Sequence, residues 1–189
     1  IQGKAHKTLT DAVLIDNFQN IRGDLARLKI ACQIVETLDN LVIREEKDDQ
    51  IWQLLDEIFH KLNNCSFFTA HCSLLYYYFF WNLISILGYQ PELYLCLVCQ
   101  KRIIPEKNYF DFEQGGTICK NCADNFLKQS QSRGDAKMTQ EISLNVIKIL
   151  RIFLNKDLLL IKKLKIERKD RELLTKISRY SFLLLSRAL

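Results

Sequence analysis

Four of the seven cysteines in this 189-residue chain fall into a pattern that chemistry can use. Cys96-Leu-Val-Cys99 is followed, nineteen residues later, by Cys119-Lys-Asn-Cys122. Two Cys-x-x-Cys pairs at that separation have the spacing of a four-thiolate zinc site. Each pair folds into a tight knuckle that sets two sulfurs about 2.3 Å from one ion, and two facing knuckles complete a tetrahedron. The residues between the pairs suit such a return. Pro105 punctuates them, Tyr109-Phe110-Asp111-Phe112 alternates like a short strand, and Gly115-Gly116 makes a turn before Cys119. Two disulfides, or four unrelated thiols, are the competing readings. Four cysteines leave no open position for water or substrate, so a zinc ion held here is structural rather than hydrolytic. Its binding free energy then becomes folding free energy for a loop too polar to build a core.

No second chemical site competes with this one. The chain has no phosphate-binding Gly-x-x-x-x-Gly-Lys, no Gly-x-Ser-x-Gly and no His-Glu-x-x-His. His6, His60 and His71 are scattered, and His71 beside Cys72 reads as an interior histidine. Asp48 with Asp49, and Asp56 with Glu57, read as solvated helix surface. The chain is therefore expected to work by binding and not as an enzyme.

Helices must position the knuckles. Ile21, Leu25, Leu28, Cys32, Val35, Leu38 and Val42 recur at three- and four-residue steps, which predicts one amphipathic helix capped by Asp16 or Asn17. The acidic break at 45–49 starts a second, with Asp48 and Asp49 at its positive end and Ile51, Leu54, Leu55, Ile58, Phe59 and Leu62 inward. Between Lys61 and Glu92 there is no charged residue, and Phe67 to Leu87 is long enough to be weighed as a membrane span. His71, Ser73, Asn82 and Ser85 interrupt it and no basic cluster flanks it, so it reads as the central helix of a bundle, stopped by Gly88 and Pro91. The aromatic cluster from Tyr76 to Trp81 reads as core rather than as a base-stacking surface.

Beyond the second pair, 123–128 predicts a short helix and 129–137 a polar loop. Thr139 with Ile142, Val146, Ile149, Leu150 and Phe153 predicts another helix, Leu158 to Leu164 a further one. Residues 170–189 predict the last, with Leu173, Leu174, Ile177, Tyr180, Leu184 and Ala188 inward. Cys32, Cys65 and Cys72 read as core thiols. The fold class is mainly α, a helical bundle with an inserted four-cysteine zinc ribbon and β-hairpin. Its parts are residues 1–20 as a linker or tail, 21–95 as the first part of the bundle, 96–122 as the ribbon and 123–189 as the second part. The first residue is Ile1, not Met, so the sequence is read as a fragment. No secretory signal is visible, and metal-spaced thiols suit a reducing cytoplasm.

Charge is uneven. From Lys148 to Arg187 there are twelve bases against four acids, a local +8; the whole chain is +5, leaving −3 elsewhere. Such density attracts polyanions. The candidate nucleic-acid contacts are Lys162, Lys163, Lys165, Arg168, Lys169 and Arg171, with a solvated helix face as the alternative. No recognition helix and no finger of the two-cysteine, two-histidine kind is visible, so contact should be backbone-directed and salt-sensitive.

Several stretches together resemble one family. Gly88-Tyr89-Gln90-Pro91-Glu92-Leu93 leads into Cys96-x-x-Cys99, and Gly115-Gly116 into Cys119-x-x-Cys122. With Ile21-Arg22-x-Asp24-Leu25 and Tyr180-x-x-x-Leu184-x-x-Arg187-x-Leu189, they resemble the carboxy-terminal half of the bacterial recombination mediator RecO. Gln100 departs from the glycine that such knuckles often carry, and the family's amino-terminal oligonucleotide-binding barrel is not in the sequence. The resemblance implies a DNA repair and recombination mediator that binds single- and double-stranded DNA and anneals strands. It also implies partnership with RecR and the tail of single-strand-binding protein, and help in recombinase loading. A zinc-ribbon adaptor without DNA contact is the alternative, and a membrane-embedded protein the third reading.

Overall fold

The computed structural model describes residues 13–42, 47–65, 69–130, 139–161 and 163–188. Within them the order is α1 (Gln19–Gly23), α2 (Leu25–Leu41), α3 (Asp49–Asn63), α4 (Thr69–Ile86), β1 (Asn108–Asp111) and β2 (Gly116–Cys119). Then follow α5 (Lys120–Ser130), β3 (Thr139–Ile142), α6 (Leu144–Leu154), α7 (Leu158–Ile161) and α8 (Arg168–Ala188). The fold is mainly α with one small antiparallel sheet, as the sequence implies.

Helix α4 is the axis. Tyr78, Phe79, Phe80, Trp81, Leu83 and Ile84 are buried in near-succession, so the helix is covered on every side. Helices α2, α3, α6 and α8 all pack against it. Each such side chain contributes on the order of 1.5–3 kcal/mol of burial. Its polar groups are answered: the Asn82 amide donates to the carbonyls of Tyr78 and Phe153, and the Trp81 indole N–H donates to Ser178 Oγ at 3.0 Å. No helix among the described residues is long and apolar enough to cross a membrane. Gly88 ends the turn at φ 91, a conformation that favours glycine, and Tyr89 N–H closes on Ile84 O at 2.8 Å.

Helix α3 matches its pattern. Asp48 caps it by accepting from the N–H groups of Gln50 and Ile51, and Ile51, Leu54, Ile58 and Leu62 face inward. The segment before it differs from expectation in two ways. One long helix is instead two, because Asp24 breaks the run in extended conformation and caps α2 through Ala26 and Arg27 N–H; Asp16 instead accepts from Phe18 N–H, and neither it nor Asn17 holds the cap position. The buried face of α2 is also not the expected one: Ile30, Ala31, Ile34, Thr37 and Leu41 face α4, while Leu25, Leu28, Cys32 and Val35 are exposed. Cys32 is thus a surface thiol rather than a core one, whereas Cys72 is buried and Cys65 half-buried. Helix α2 carries two apolar stripes, and periodicity alone cannot say which meets the bundle.

The second half brings a further correction. Thr139–Ile142, expected to open a helix, is the strand β3; it joins the sheet in the order β2-β1-β3, with Asn108 opposite Ile142 and Asp111 opposite Thr139. The helix begins only after Ser143, whose hydroxyl caps it by accepting from Val146 N–H. Three other boundaries shift: α5 starts within the second cysteine pair and runs to Ser130, α7 ends at Ile161, and Tyr180 lies at the surface of α8. The rest of the expected polar loop, 131–137, and the side chains of His71 and Ala188 lie outside the described residues.

Candidate metal centre and basic surface

The hairpin delivers the second cysteine pair to the first. Strands β1 and β2 pair from Asn108–Cys119 to Asp111–Gly116. The Asp111 carboxylate holds the turn between them by accepting from Glu113 and Gln114 N–H, and Gly115 lies at φ 64. The strand before the first knuckle lies alongside: Glu92 N–H donates to Gly115 O, Thr117 N–H to Glu92 O at 2.8 Å, and Leu97 N–H to Thr117 O at 3.0 Å. Gly116 makes this approach possible, since a Cβ there would stand 2.8 Å from the Glu92 carbonyl oxygen. Asn108 shapes the loop opposite by donating to the carbonyls of Ile104 and Glu106.

The first knuckle turns tightly. Gln100 N–H donates to Cys96 O at 2.9 Å and Cys96 N–H to Lys101 O at 2.8 Å, with Gln100 held at φ 58. In the second, Cys119 ends β2 and Cys122 lies in the first turn of α5. The four sulfurs of Cys96, Cys99, Cys119 and Cys122 all lie within 4.8 Å of one another. Cys99 and Cys119 sulfurs are 3.8 Å apart. Four sulfurs about 2.3 Å from one ion in a tetrahedron stand about 3.8 Å from each other, so the donor set fits a zinc ion. The separation is far too long for a disulfide.

Electrostatics agrees with that fit. Burial pushes the Cys96 thiol up, but the N–H groups of Cys99, Cys119 and Val98 outweigh it and bring the thiol down to about 6. Burial and the three neighbouring thiols push Cys122 up to about 12, and burial raises Cys119 as well. Four thiolates this close repel one another; a divalent cation removes the conflict.

The ribbon is wedged onto the bundle by aromatic side chains. Trp81 of α4 meets Phe110 at 6.1 Å between ring centres, Phe110 meets Phe112 at 5.5 Å, and Phe112 meets Tyr180 of α8 at 5.3 Å. On the other side Arg151 of α6 donates through Nη2 to Leu93 O and lays its guanidinium over the Tyr94 ring at 4.3 Å. Arg151, counted among the bases of the positive segment, is thus engaged in packing.

Of the candidate nucleic-acid contacts, Lys162 lies outside the described residues. Lys163 and Lys165 are exposed between α7 and α8. Arg168 pairs with Glu172 at 2.8 Å and Lys169 with Glu167 at 3.0 Å, while Arg171 is half-buried. The acid in the middle, Asp170, points inward, accepting from Ser143 Oγ at 2.7 Å and from the Asn145 amide at 3.1 Å. Neither this tie nor the Arg151–Tyr94 stack is visible in the sequence, since both join residues far apart in the chain.

A mainly helical bundle carrying a ribbon whose four cysteines could hold one metal ion is the class of fold these residues define. The chain belongs to the family described as "Recombination protein O C terminal", which it matches over residues 22–183. It is 32% identical over 168 residues to the DNA repair protein RecO of Dehalococcoides mccartyi (strain ATCC BAA-2266 / KCTC 15142 / 195), covering 89% of this chain and 60% of that protein. It is 29% identical over 147 residues to the DNA repair protein RecO of Thermoanaerobacter sp. (strain X514), covering 78% and 54%. The chain thus spans little more than half the length of these relatives. No solved structure gives a significant match.

Proposed function

We propose that this chain is the helical, zinc-carrying part of a cytoplasmic mediator of recombinational DNA repair, acting by binding rather than catalysis. Zinc, held by Cys96, Cys99, Cys119 and Cys122, is its structural ion. Single- and double-stranded DNA are the ligands; RecR and the tail of single-strand-binding protein are the partners, and strand annealing and recombinase loading the outcome. Membership of the RecO family over residues 22–183 carries this reading. The exposed Lys163 and Lys165 support the DNA part, and the surface pairs of Arg168 and Lys169 are weak enough to open to phosphate.

Binding of a labelled single-stranded oligonucleotide across a salt series tests it. Affinity should fall as salt rises, with a slope of about −0.7 for each phosphate neutralised, and replacing Lys163 and Lys165 by Ala should flatten that slope. No binding at low salt defeats the DNA reading. The adaptor reading, a zinc-ribbon module that meets proteins only, then takes its place; it is favoured by the acids that Arg168 and Lys169 already hold.

A further inference from the structure

Exposed cations also occur outside the α7–α8 segment. Lys101, Arg102 and Lys148 are exposed, and none forms an ion pair among the described residues, whereas Lys107, Arg168 and Lys169 are matched by Glu141, Glu172 and Glu167. Tyr94, in the segment leading into the first knuckle, is 51% exposed. Its backbone is fixed at both ends: its N–H donates to the Glu92 carboxylate at 2.7 Å, and its carbonyl accepts from Ile103 N–H at 2.9 Å. The ladder continues with Leu95 opposite Arg102, which puts the Arg102 side chain on the face of the strip away from Tyr94. Arg151 covers one face of the ring and is itself held by Leu93 O, and Lys148 lies three residues before it on α6.

A rigid aromatic ring, half-exposed and backed by a fixed guanidinium, has the makings of a stacking platform. A floppy surface tyrosine would lose entropy on stacking; this one has already been ordered by its own backbone and by Arg151. The ligand chemistry follows from the parts. A planar base that is not already stacked in a duplex can lie on the open part of the ring, and Lys148, one helical turn from Arg151 and exposed, is the cation placed to meet a flanking phosphate. Duplex DNA offers no free base face, so the site is single-strand specific. Stacking, not net charge, is the main attraction.

We propose that Tyr94, backed by Arg151, is a stacking site for one unpaired base of single-stranded nucleic acid. This rests on the DNA-binding reading above. The test is photo-cross-linking of the full chain to an oligo(dT) carrying one 5-iododeoxyuridine, with the attached peptide located by mass spectrometry, beside oligo(dT) titrations of Tyr94→Phe and Tyr94→Ala. The cross-link should map to Tyr94, Tyr94→Phe should bind like the parent, and Tyr94→Ala should lose about 5-fold or more in affinity with the salt slope unchanged. Metal content and circular dichroism of Tyr94→Ala should match the parent; if they do not, Tyr94→Leu, which keeps the bulk without the π-face, replaces it. Binding by the parent with cross-links elsewhere, or an unaffected Tyr94→Ala, overturns the stacking site alone. Failure of the parent to bind oligo(dT) at low salt overturns the DNA reading together with it.

Discussion

Gln100 shows how the knuckle shapes single residues. At φ 58 it occupies the left-handed region, which costs a non-glycine residue about 1 kcal/mol, and the cost is tolerated because the knuckle must turn Cys96 and Cys99 toward the second cysteine pair. Gln100→Gly removes that strain while freeing the unfolded chain, so it should be neutral or stabilise the ribbon by up to about 1 kcal/mol. Gln100→Val, β-branched at a positive φ, should destabilise by a similar amount; chemical denaturation of both variants with metal present measures the difference. The cysteines give a second outcome. Metal analysis should find one zinc per chain, and Cys99→Ser should abolish it. Ligation requires thiolate, so zinc affinity should fall as pH falls and protons compete for all four sulfurs, which a chelator competition at several pH values reads directly.

Elements were legible to the degree that their pattern was local. The knuckles, the Gly115-Gly116 turn and the inward face of α3 each follow from residues a few positions apart, and each forms as read. Strand β3 does not: Thr139-Gln-Glu-Ile142 has no strand signature of its own and becomes one only because β1 offers an open edge. The exposed stripe of α2 escaped for the same reason, since the bundle chooses between two apolar faces that sequence makes equal. Ser143 joins the misread strand to the helix and to the far end of the bundle, capping α6 while donating to the buried carboxylate of Asp170. Asp170→Ala should therefore leave Ser143 and Asn145 without their acceptor and cost about 1–3 kcal/mol in thermal or denaturant unfolding, with Asp170→Asn costing less.

At the scale of the molecule, the described residues of the bundle leave one apolar face bare. Leu25, Leu28 and Val35 stand out from α2 beside a groove of about 750 Å³ lined by Phe18, Ile21, Ala31 and Phe59. Apolar surface of this kind invites contact. Leu25→Lys with Val35→Lys should leave the unfolding transition within about 0.5 kcal/mol of the parent. The same pair should lower any self-association seen by sedimentation. The three-stranded sheet has a different consequence. The ribbon has two ties, the four-cysteine cluster and β3 with the aromatic wedge, and with zinc bound a chelator would undo only the first. A stripped protein should thus fray from the fingertip inward. Trypsin would cut sooner at Lys101 and Arg102, whose backbone the knuckle then no longer holds, while the stretch from Asn108 to Cys119, stitched into the trunk by a strand arriving from beyond the second knuckle, would outlast them.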